Sequence, residues 1–158
     1  MRRSSMRNTL VCSAIALAGC IPDQAETLFN GTYPGESSYA ATIEGNGQGL
    51  AGAAPMTAVA NGDSSLSLGS GCTLAFDDVN LATDSRGQGT SATAMLVGTG
   101  CEVPVDGGSA TFDVTSGSAT STGGTSLMVS VGGSLVSWVG TPSSGYATVM
   151  FQGVLANN

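Results

Sequence analysis

The sequence predicts an all-β fold, antiparallel and built from roughly eight strands, on three observations. First, 24 of the 158 residues are Gly, and Ser and Thr are also abundant, a composition that favours turns over helices. Second, apolar and polar residues alternate with period two along most of the chain. Third, no long segment behind the N-terminal region has the apolar spacing of an amphipathic helix.

The strands are predicted wherever this alternation persists. In one of them Cys72, Leu74 and Phe76 share a face and polar residues stand between them. One face of each strand is therefore expected to be buried. The predicted strands are Tyr39–Glu44, Met56–Ala60, Ser65–Leu68, Cys72–Leu81, Ala92–Val97, Cys101–Val105, Ala110–Thr115, Leu127–Val131, Leu135–Val139 and Tyr146–Val154.

Short Gly-containing connections predict hairpins between successive strands. They are Asn61-Gly62, Asp106-Gly107-Gly108, Gly123-Gly124 and Gly132-Gly133. Such an order favours a small up-and-down barrel, with a β-sandwich as the alternative. Closure also removes strand edges, which a chain with no Lys and few Pro has little means to protect.

Three stretches have no periodicity and are predicted to be loops or tethers. These are Ile21–Leu28, Gly45–Ala54 and Asp84–Ser91. The second contains a GxGxxG pattern at Gly47–Gly52, but strand-forming residues follow it, whereas a dinucleotide fingerprint needs a helix there. We therefore expect no nucleotide site.

The composition excludes much catalytic chemistry. The chain has no His, and its four basic residues are all arginines, so the commonest general base and the amine nucleophile are missing. Only Arg86 stands behind the N-terminal region, too few cations to hold a nucleic-acid backbone. We expect no enzyme, no cofactor and no nucleic-acid partner.

The N-terminus has the features of an export signal. Arg2, Arg3 and Arg7 precede the apolar run Leu10–Leu17, which is too short for a permanent membrane span. The run ends in Leu17-Ala18-Gly19-Cys20, which resembles the lipobox of bacterial lipoproteins.

The resemblance covers only residues 1–20. It implies cleavage before Cys20, acylation of Cys20 and anchoring to a lipid bilayer. Ile21 stands where an Asp retains such proteins at the inner membrane, so an outer-membrane location is implied in a host with two membranes. The expected organisation is a signal peptide at 1–19, a lipidated tether at 20–28 and one all-β domain at 29–158.

The resemblance also implies a role for each of the four cysteines. Cys12 would leave with the signal and Cys20 would carry lipid, so Cys72 and Cys101 remain as a pair in an oxidising compartment. We predict a disulfide between them. The alternative, a metal site of two thiolates, lacks both the CxxC spacing and a His partner.

Two further features are candidate ligand sites. Asp77, Asp78, Asn80 and Asp84 offer the oxygen ligands that calcium prefers, but they do not fit the EF-hand spacing, and a solvated acidic turn is the favoured interpretation. Trp138, the only Trp, either floors a ligand pocket or packs in the core, and packing is the ordinary role of a strand Trp.

Together these observations predict a lipid-anchored cell-envelope protein with a structural or interaction role and no catalytic centre. One alternative is a β-barrel that binds an apolar or glycan ligand near Trp138. Another is a hydrolase that uses two paired carboxylates, the acid/base option left to a chain without His or Lys.

Overall fold

The computed structural model describes residues 24–45, 49–62 and 64–157, and within them the chain is almost entirely strand. This confirms the predicted antiparallel all-β fold. The elements are α1 (Gln24–Leu28), β1 (Asn30–Ile43), β2 (Gly49–Asn61), β3 (Ser65–Leu68), β4 (Cys72–Thr83), β5 (Gly89–Val97), β6 (Gly100–Val105), β7 (Gly108–Thr122), β8 (Ser126–Trp138), β9 (Thr141–Pro142) and β10 (Gly145–Val154).

Eight strands close into a barrel-like ring. Around the ring β1, β2, β3, β4, β5, β7, β8 and β10 follow one another, and β10 returns to β1. The pairings are antiparallel, as short connections between neighbouring strands require. Pairing of β7 with β8 over Ala110–Thr122 completes the circuit.

Strands β5 and β6 behave as one interrupted strand. Both pair with β7, β5 from Ser91↔Thr122 to Met95↔Ser118 and β6 from Gly100↔Asp113 onwards, in one continuous register. On their other side, β5 pairs with β4 and β6 has a single bridge, Gly71↔Glu102. The chain therefore runs along β5 and then β6, reverses at the Asp106-Gly107 turn, and returns as β7 beside both of them.

The inside of the ring is packed with apolar side chains. Alternate residues of the strands point inward, and the fully buried ones include Tyr33, Leu66, Phe112 and Leu127. Outward positions carry mostly Ser, Thr and other small residues. The alternation in the sequence thus corresponds to the two faces of each strand.

The ring has two unlike ends. At the first, which we call the α1 end, Gln24 accepts a hydrogen bond from the Gly89 backbone and Ser121 donates one to the Leu28 carbonyl. The turns β2–β3, β4–β5 and β7–β8 lie at this end. The turns β1–β2 and β6–β7 lie at the opposite end, which we call the far end, whereas the β3–β4 turn lies part-way along the wall beside Thr57.

The α1 end corrects one prediction. Gln24–Leu28 was predicted as part of a loop or tether, but it forms a short helix with Leu28 buried. Phe29, which follows the helix, stacks on Phe76 with ring centroids 4.9 Å apart. The Tyr33 hydroxyl donates to the Gly124 carbonyl at 3.0 Å, and burial raises the pKa of this phenol. Residues Ile21–Asp23 of the predicted tether lie outside the described residues.

Other segments that were predicted as turns or loops are strands in the structure. Gly132-Gly133 was predicted as a hairpin turn, but both glycines are buried inside β8, which joins the predicted strands Leu127–Val131 and Leu135–Val139. A Cβ on Gly133 would collide with the Asp113 carbonyl of β7, so this glycine permits close strand approach. Parts of the other predicted loops are also strand, since β2 begins at Gly49 and β5 at Gly89.

The predicted disulfide is confirmed. Cys72 and Cys101 are bonded with Cα atoms 4.3 Å apart, and both are buried. The bond joins β4 to β6 between the Gly71↔Glu102 bridge and the β4–β5 ladder, which begins at Ala75↔Val97. It therefore fastens β6 to β4 where the backbone ladder is interrupted.

Reduction of this bond is expected to lower the free energy of unfolding by about 3.5 kcal/mol, because a loop of about 30 residues is released in the unfolded chain. Amide exchange should accelerate first in β6, which has only one bridge to β4. Denaturant titration and hydrogen exchange with and without reductant measure both effects. The Cys72→Ala/Cys101→Ala double variant is the control, since reductant should not change it.

Candidate functional site

The hydrogen-bonded wall of the ring has a gap on one side, because β3 has only four residues. Strand β2 pairs with β1 from Asn61 to Gly49, but it pairs with β3 only from Asn61 to Ala58. The remainder of β2, residues 49–57, pairs with a strand on one side only. Strand β6 approaches it from the opposite side, with β7 as its continuous partner.

A groove of about 720 Å³ lies between these two edges. The β3–β4 turn closes one end of the groove, and β1 and β7 flank it. The residues that line it are Pro34, Gly35, Pro55, Met56, Thr57, Gly69, Ser70, Gly71, Glu102, Val103, Pro104, Gly108 and Ser109. None of them was a candidate in the sequence analysis.

The backbone of β2 presents free positions to this groove. The Gly69 N–H donates to the Thr57 carbonyl at 2.9 Å, so the backbone groups of Thr57 point away from β1. Alternate residues of a strand point their backbone groups to the same side. Pro55, Ala53 and Ala51 therefore also face the open edge, and the two alanines bring an N–H as well as a carbonyl.

Prolines occupy edge-facing positions on both sides of the groove. Pro55 faces it from β2, and Pro104 faces it from β6, because Glu102 two residues earlier donates its N–H to the Gly71 carbonyl at 3.0 Å. A proline has no N–H, so each removes a donor that another strand would use. Few prolines were expected to give little edge protection, but these two stand at the edges that need it.

One carboxylate faces the groove. Glu102 lines it, and the Ser109 hydroxyl donates to Glu102 Oε1 at 2.7 Å, which fixes the side chain against β7. The second carboxylate oxygen remains for a cationic group. The groove thus combines proline rings and small apolar surface with one negative charge and the β2 backbone groups.

The four calcium candidates are placed on and after β4, all exposed. Asp84 Oδ1 accepts the N–H groups of Arg86 and Gln88 at 2.8 and 2.9 Å, so this carboxylate holds its own turn. Asp78 accepts from the Asn80 amide at 3.2 Å, and Asp77 stands at a bulge in the β4–β5 ladder. Within residues 24–45, 49–62 and 64–157, no group of three or more Asp, Glu or Cys is placed to hold a metal ion.

Trp138 lies near the far end of the ring and is half-buried against the core. Its ring meets Tyr39 edge to face, with centroids 5.7 Å apart. The Tyr39 hydroxyl in turn accepts the Asp106 N–H at 2.7 Å, which ties the β6–β7 turn to this aromatic pair. These contacts give Trp138 a packing role, and it does not line the groove.

Cys20, the predicted lipidation site, lies outside the described residues. No protein-family model, curated protein or solved structure matches this chain. In the part of the chain that the structure describes, no helix is long and apolar enough to cross a membrane. The groove is therefore interpreted from its own geometry.

We expect Gly71→Ala to lower the free energy of unfolding by about 1–3 kcal/mol, because added atoms at a packed contact force the backbone apart. The new Cβ would lie 2.9 Å from both the carbonyl oxygen and the Cβ of Glu102. Gly100→Ala is the matched control on β6, since a Cβ there meets nothing within 4 Å. Equal losses in the two variants by thermal or denaturant unfolding would contradict this account of the bridge.

Proposed function

We propose that this chain is a lipid-anchored cell-envelope protein, attached through Cys20, that binds an extended polypeptide segment in the groove between β2 and β6. Its role is non-catalytic: it holds or recruits a partner. The observation that supports the proposal is the open edge of β2, which borders the groove at Pro55 and Thr57 and continues past it to Ala53 and Ala51.

An extended segment is the ligand that suits such an edge. Such a segment can pair with the edge as an additional strand. This mode of binding uses main-chain hydrogen bonds for affinity and neighbouring pockets for specificity. Ala51 and Ala53 supply donors and acceptors on the edge next to the groove, while the rings of Pro55 and Pro104 supply apolar contacts within it. A sugar ligand would favour an aromatic platform, and no aromatic residue lines the groove.

The prolines restrict where the segment pairs. At Pro55 and Pro104 the groove offers carbonyls without donors, so main-chain pairing is limited to the Ala51–Ala53 part of β2. This restriction also opposes indiscriminate pairing with other exposed strands. A partner is therefore selected by its side chains as well as by its backbone.

Charge favours a basic residue in the partner. All eleven acidic residues stand behind position 19, against the single cation Arg86, and Glu102 brings one of these charges into the groove. A Lys or Arg of the bound segment would reach the free oxygen of Glu102. Like-charged segments would be repelled.

The anchor and the groove are compatible in position. Cys20 precedes Gln24 by four residues, which span at most about 14 Å even when fully extended. Acylation of Cys20 would thus hold the α1 end near the bilayer. The β3–β4 turn borders the groove part-way along the wall, and the β6–β7 turn, at the far end, would face away from the lipid.

Binding is tested with extended nine-residue peptides of small apolar residues that carry a central Arg, or Glu for comparison. We expect the Arg peptides to bind with a dissociation constant on the order of micromolar, as for small interfaces. Ala53→Pro should weaken binding about tenfold because one edge donor is lost. Pro55→Ala should strengthen it, since it restores a donor.

Two controls separate backbone pairing from charge. Methylation of alternate peptide amides should remove binding if the peptide pairs as a strand, and Glu102→Gln should abolish the preference for Arg over Glu peptides. Unchanged affinity in Ala53→Pro, with the fold intact by circular dichroism, would rule out the strand-addition site. Equal binding of Arg and Glu peptides would rule out the charge argument.

The anchor is tested independently by intact mass and detergent partitioning of the protein from its host. We expect a mature chain that begins at acylated Cys20 and enters the detergent phase, because two or more acyl chains give stable anchoring. Cys20→Ser should not be acylated. A mature chain that starts elsewhere and stays in the aqueous phase would refute the anchor and leave the groove proposal standing.

A further inference from the structure

In the described part of the chain, the outer wall of the ring carries three methionines. Met95, Met128 and Met150 lie on β5, β8 and β10 and have exposed fractions of 49%, 51% and 56%. Each stands between two buried neighbours in its strand, so its side chain points outward. Met56 on β2, by contrast, is 6% exposed and belongs to the core cluster.

Packing does not account for Met at these three outward positions. A long apolar side chain that remains half in water gains only part of the free energy of burial. The residues around the three are mostly Ser and Thr, and the chemical feature that distinguishes Met from them is its thioether sulfur. Two-electron oxidants convert this sulfur to a sulfoxide.

No described thiol competes with the three thioethers for an oxidant. Thiolates are the side chains that peroxides ordinarily attack, but Cys72 and Cys101 are bonded to each other. The remaining cysteines, Cys12 and Cys20, lie outside the described residues. On the described surface, the sulfur nucleophiles that a peroxide meets are therefore the exposed methionines.

Hydrogen-bond donors flank two of the three methionines. Met128 and Met150 each face a hydroxyl or an amide side chain on both neighbouring strands. Residues directly opposite each other have Cβ atoms about 5 Å apart, so the flexible methionine side chain can reach these groups. The pairs are Thr120↔Met128, Gln152↔Met128, Met150↔Ser130 and Ser38↔Met150.

Met95 has similar exposure but a different neighbour. It stands opposite Ser118 on β7 and opposite Asp78 on β4. A carboxylate accepts hydrogen bonds and donates none. Met95 is therefore a natural comparison for the other two methionines, because its surroundings differ from theirs and its accessibility does not.

We propose that Met128 and Met150 are oxidation sites at which this chain consumes a peroxide without losing its fold. In this step the Sδ lone pair attacks one oxygen of hydrogen peroxide, and the S–O bond forms as the O–O bond breaks. The sulfur loses two electrons to the peroxide. The departing hydroxide takes up the proton of the transferred oxygen and leaves as water. The proposal rests on neither the peptide groove nor the lipid anchor.

The neighbouring side chains favour this step at two sites and oppose it at the third. Negative charge develops on the departing oxygen, and hydrogen-bond donors placed beside such a charge stabilise it. Hydroxyl and amide groups beside Met128 and Met150 are such donors, whereas the carboxylate of Asp78 disfavours the same charge beside Met95. The sulfoxide oxygen of the product is also an acceptor, so it can bond to the same donors.

Oxidation of Met128 and Met150 leaves the core undisturbed. Their side chains reach water before and after the reaction, so no polar group becomes buried. A sulfoxide at Met56 would instead place a polar S–O group in the core cluster, which is strongly unfavourable without a donor. The outward methionines thus take up oxidant at positions where the fold tolerates the product.

Timed exposure of the folded full-length protein to hydrogen peroxide tests the proposal, with sulfoxide measured at each methionine by mass spectrometry. We expect Met128 and Met150 to react about tenfold faster than Met56 and about threefold faster than Met95. Protein oxidised at Met128 and Met150 alone should keep its melting temperature. Chymotrypsin then separates the four described methionines, because an aromatic residue lies between each and the next: Phe76, Phe112 and Trp138.

A charge variant tests the role of the neighbours. Asp78→Asn should raise the oxidation rate of Met95 to that of Met128, since it replaces the carboxylate by an amide donor. Asp113→Asn is the matched control, because Asp113 is also exposed on a strand but stands opposite Gly100 and Ser134. It should leave the rate at Met95 unchanged.

The proposal is overturned if Met56 reacts as fast as Met128 and Met150, since exposure then does not select the sites. Equal rates at Met95 and the other two outward methionines would also overturn it, because the neighbours then have no effect. A lower melting temperature after oxidation of Met128 and Met150 alone would show that the fold does not tolerate their sulfoxides.

Discussion

The disulfide between Cys72 and Cys101 is the contact on which this architecture depends. A ring of strands is normally closed by continuous backbone ladders. Here β3 is only four residues long. Beyond its last residue, Leu68, strands β2 and β6 face each other without a strand between them. The covalent bond fastens β6 to β4 beside this gap. The ring therefore stays closed without hydrogen bonds across the groove, which leaves the edge of β2 unused.

The sequence patterns predicted the strand regions and three of the four turns, but not the lengths of the strands or the role of the fourth glycine pair. Period-two alternation located β3 to the residue, and the cysteine count identified the disulfide pair, because both depend on local or pairwise rules. Gly132-Gly133 has the composition of a hairpin turn, yet it lies inside β8. A neighbouring strand decides this, since the close Asp113 backbone requires a residue without a side chain at position 133. Local composition does not contain that information.

The candidate groove was not predicted for a similar reason. An open edge arises from the relative lengths of β2, β3 and β6, which no local pattern specifies. One signal was present: Pro104 falls inside a strand pattern and Pro55 adjoins another, and a proline within a strand indicates an edge. Their edge-facing positions emerge only from the hydrogen bonds of Thr57 and Glu102. In this chain Pro55 and Pro104 thus mark the two open strand edges, whereas Pro34 lies inside β1 between two neighbouring strands.

The distribution of charge explains how one small ring can carry unlike surfaces. Only 9% of the residues are charged, so most of the outer surface relies on Ser and Thr hydroxyls for hydration. Hydroxyl groups are released from water at much lower cost than carboxylates when a surface is buried. The acidic groups on β4 and the turns maintain net repulsion between molecules in general. Strands β8 and β10 contain no charged residue, so the acidic and the hydroxyl-rich parts of the surface lie on different strands of the same ring.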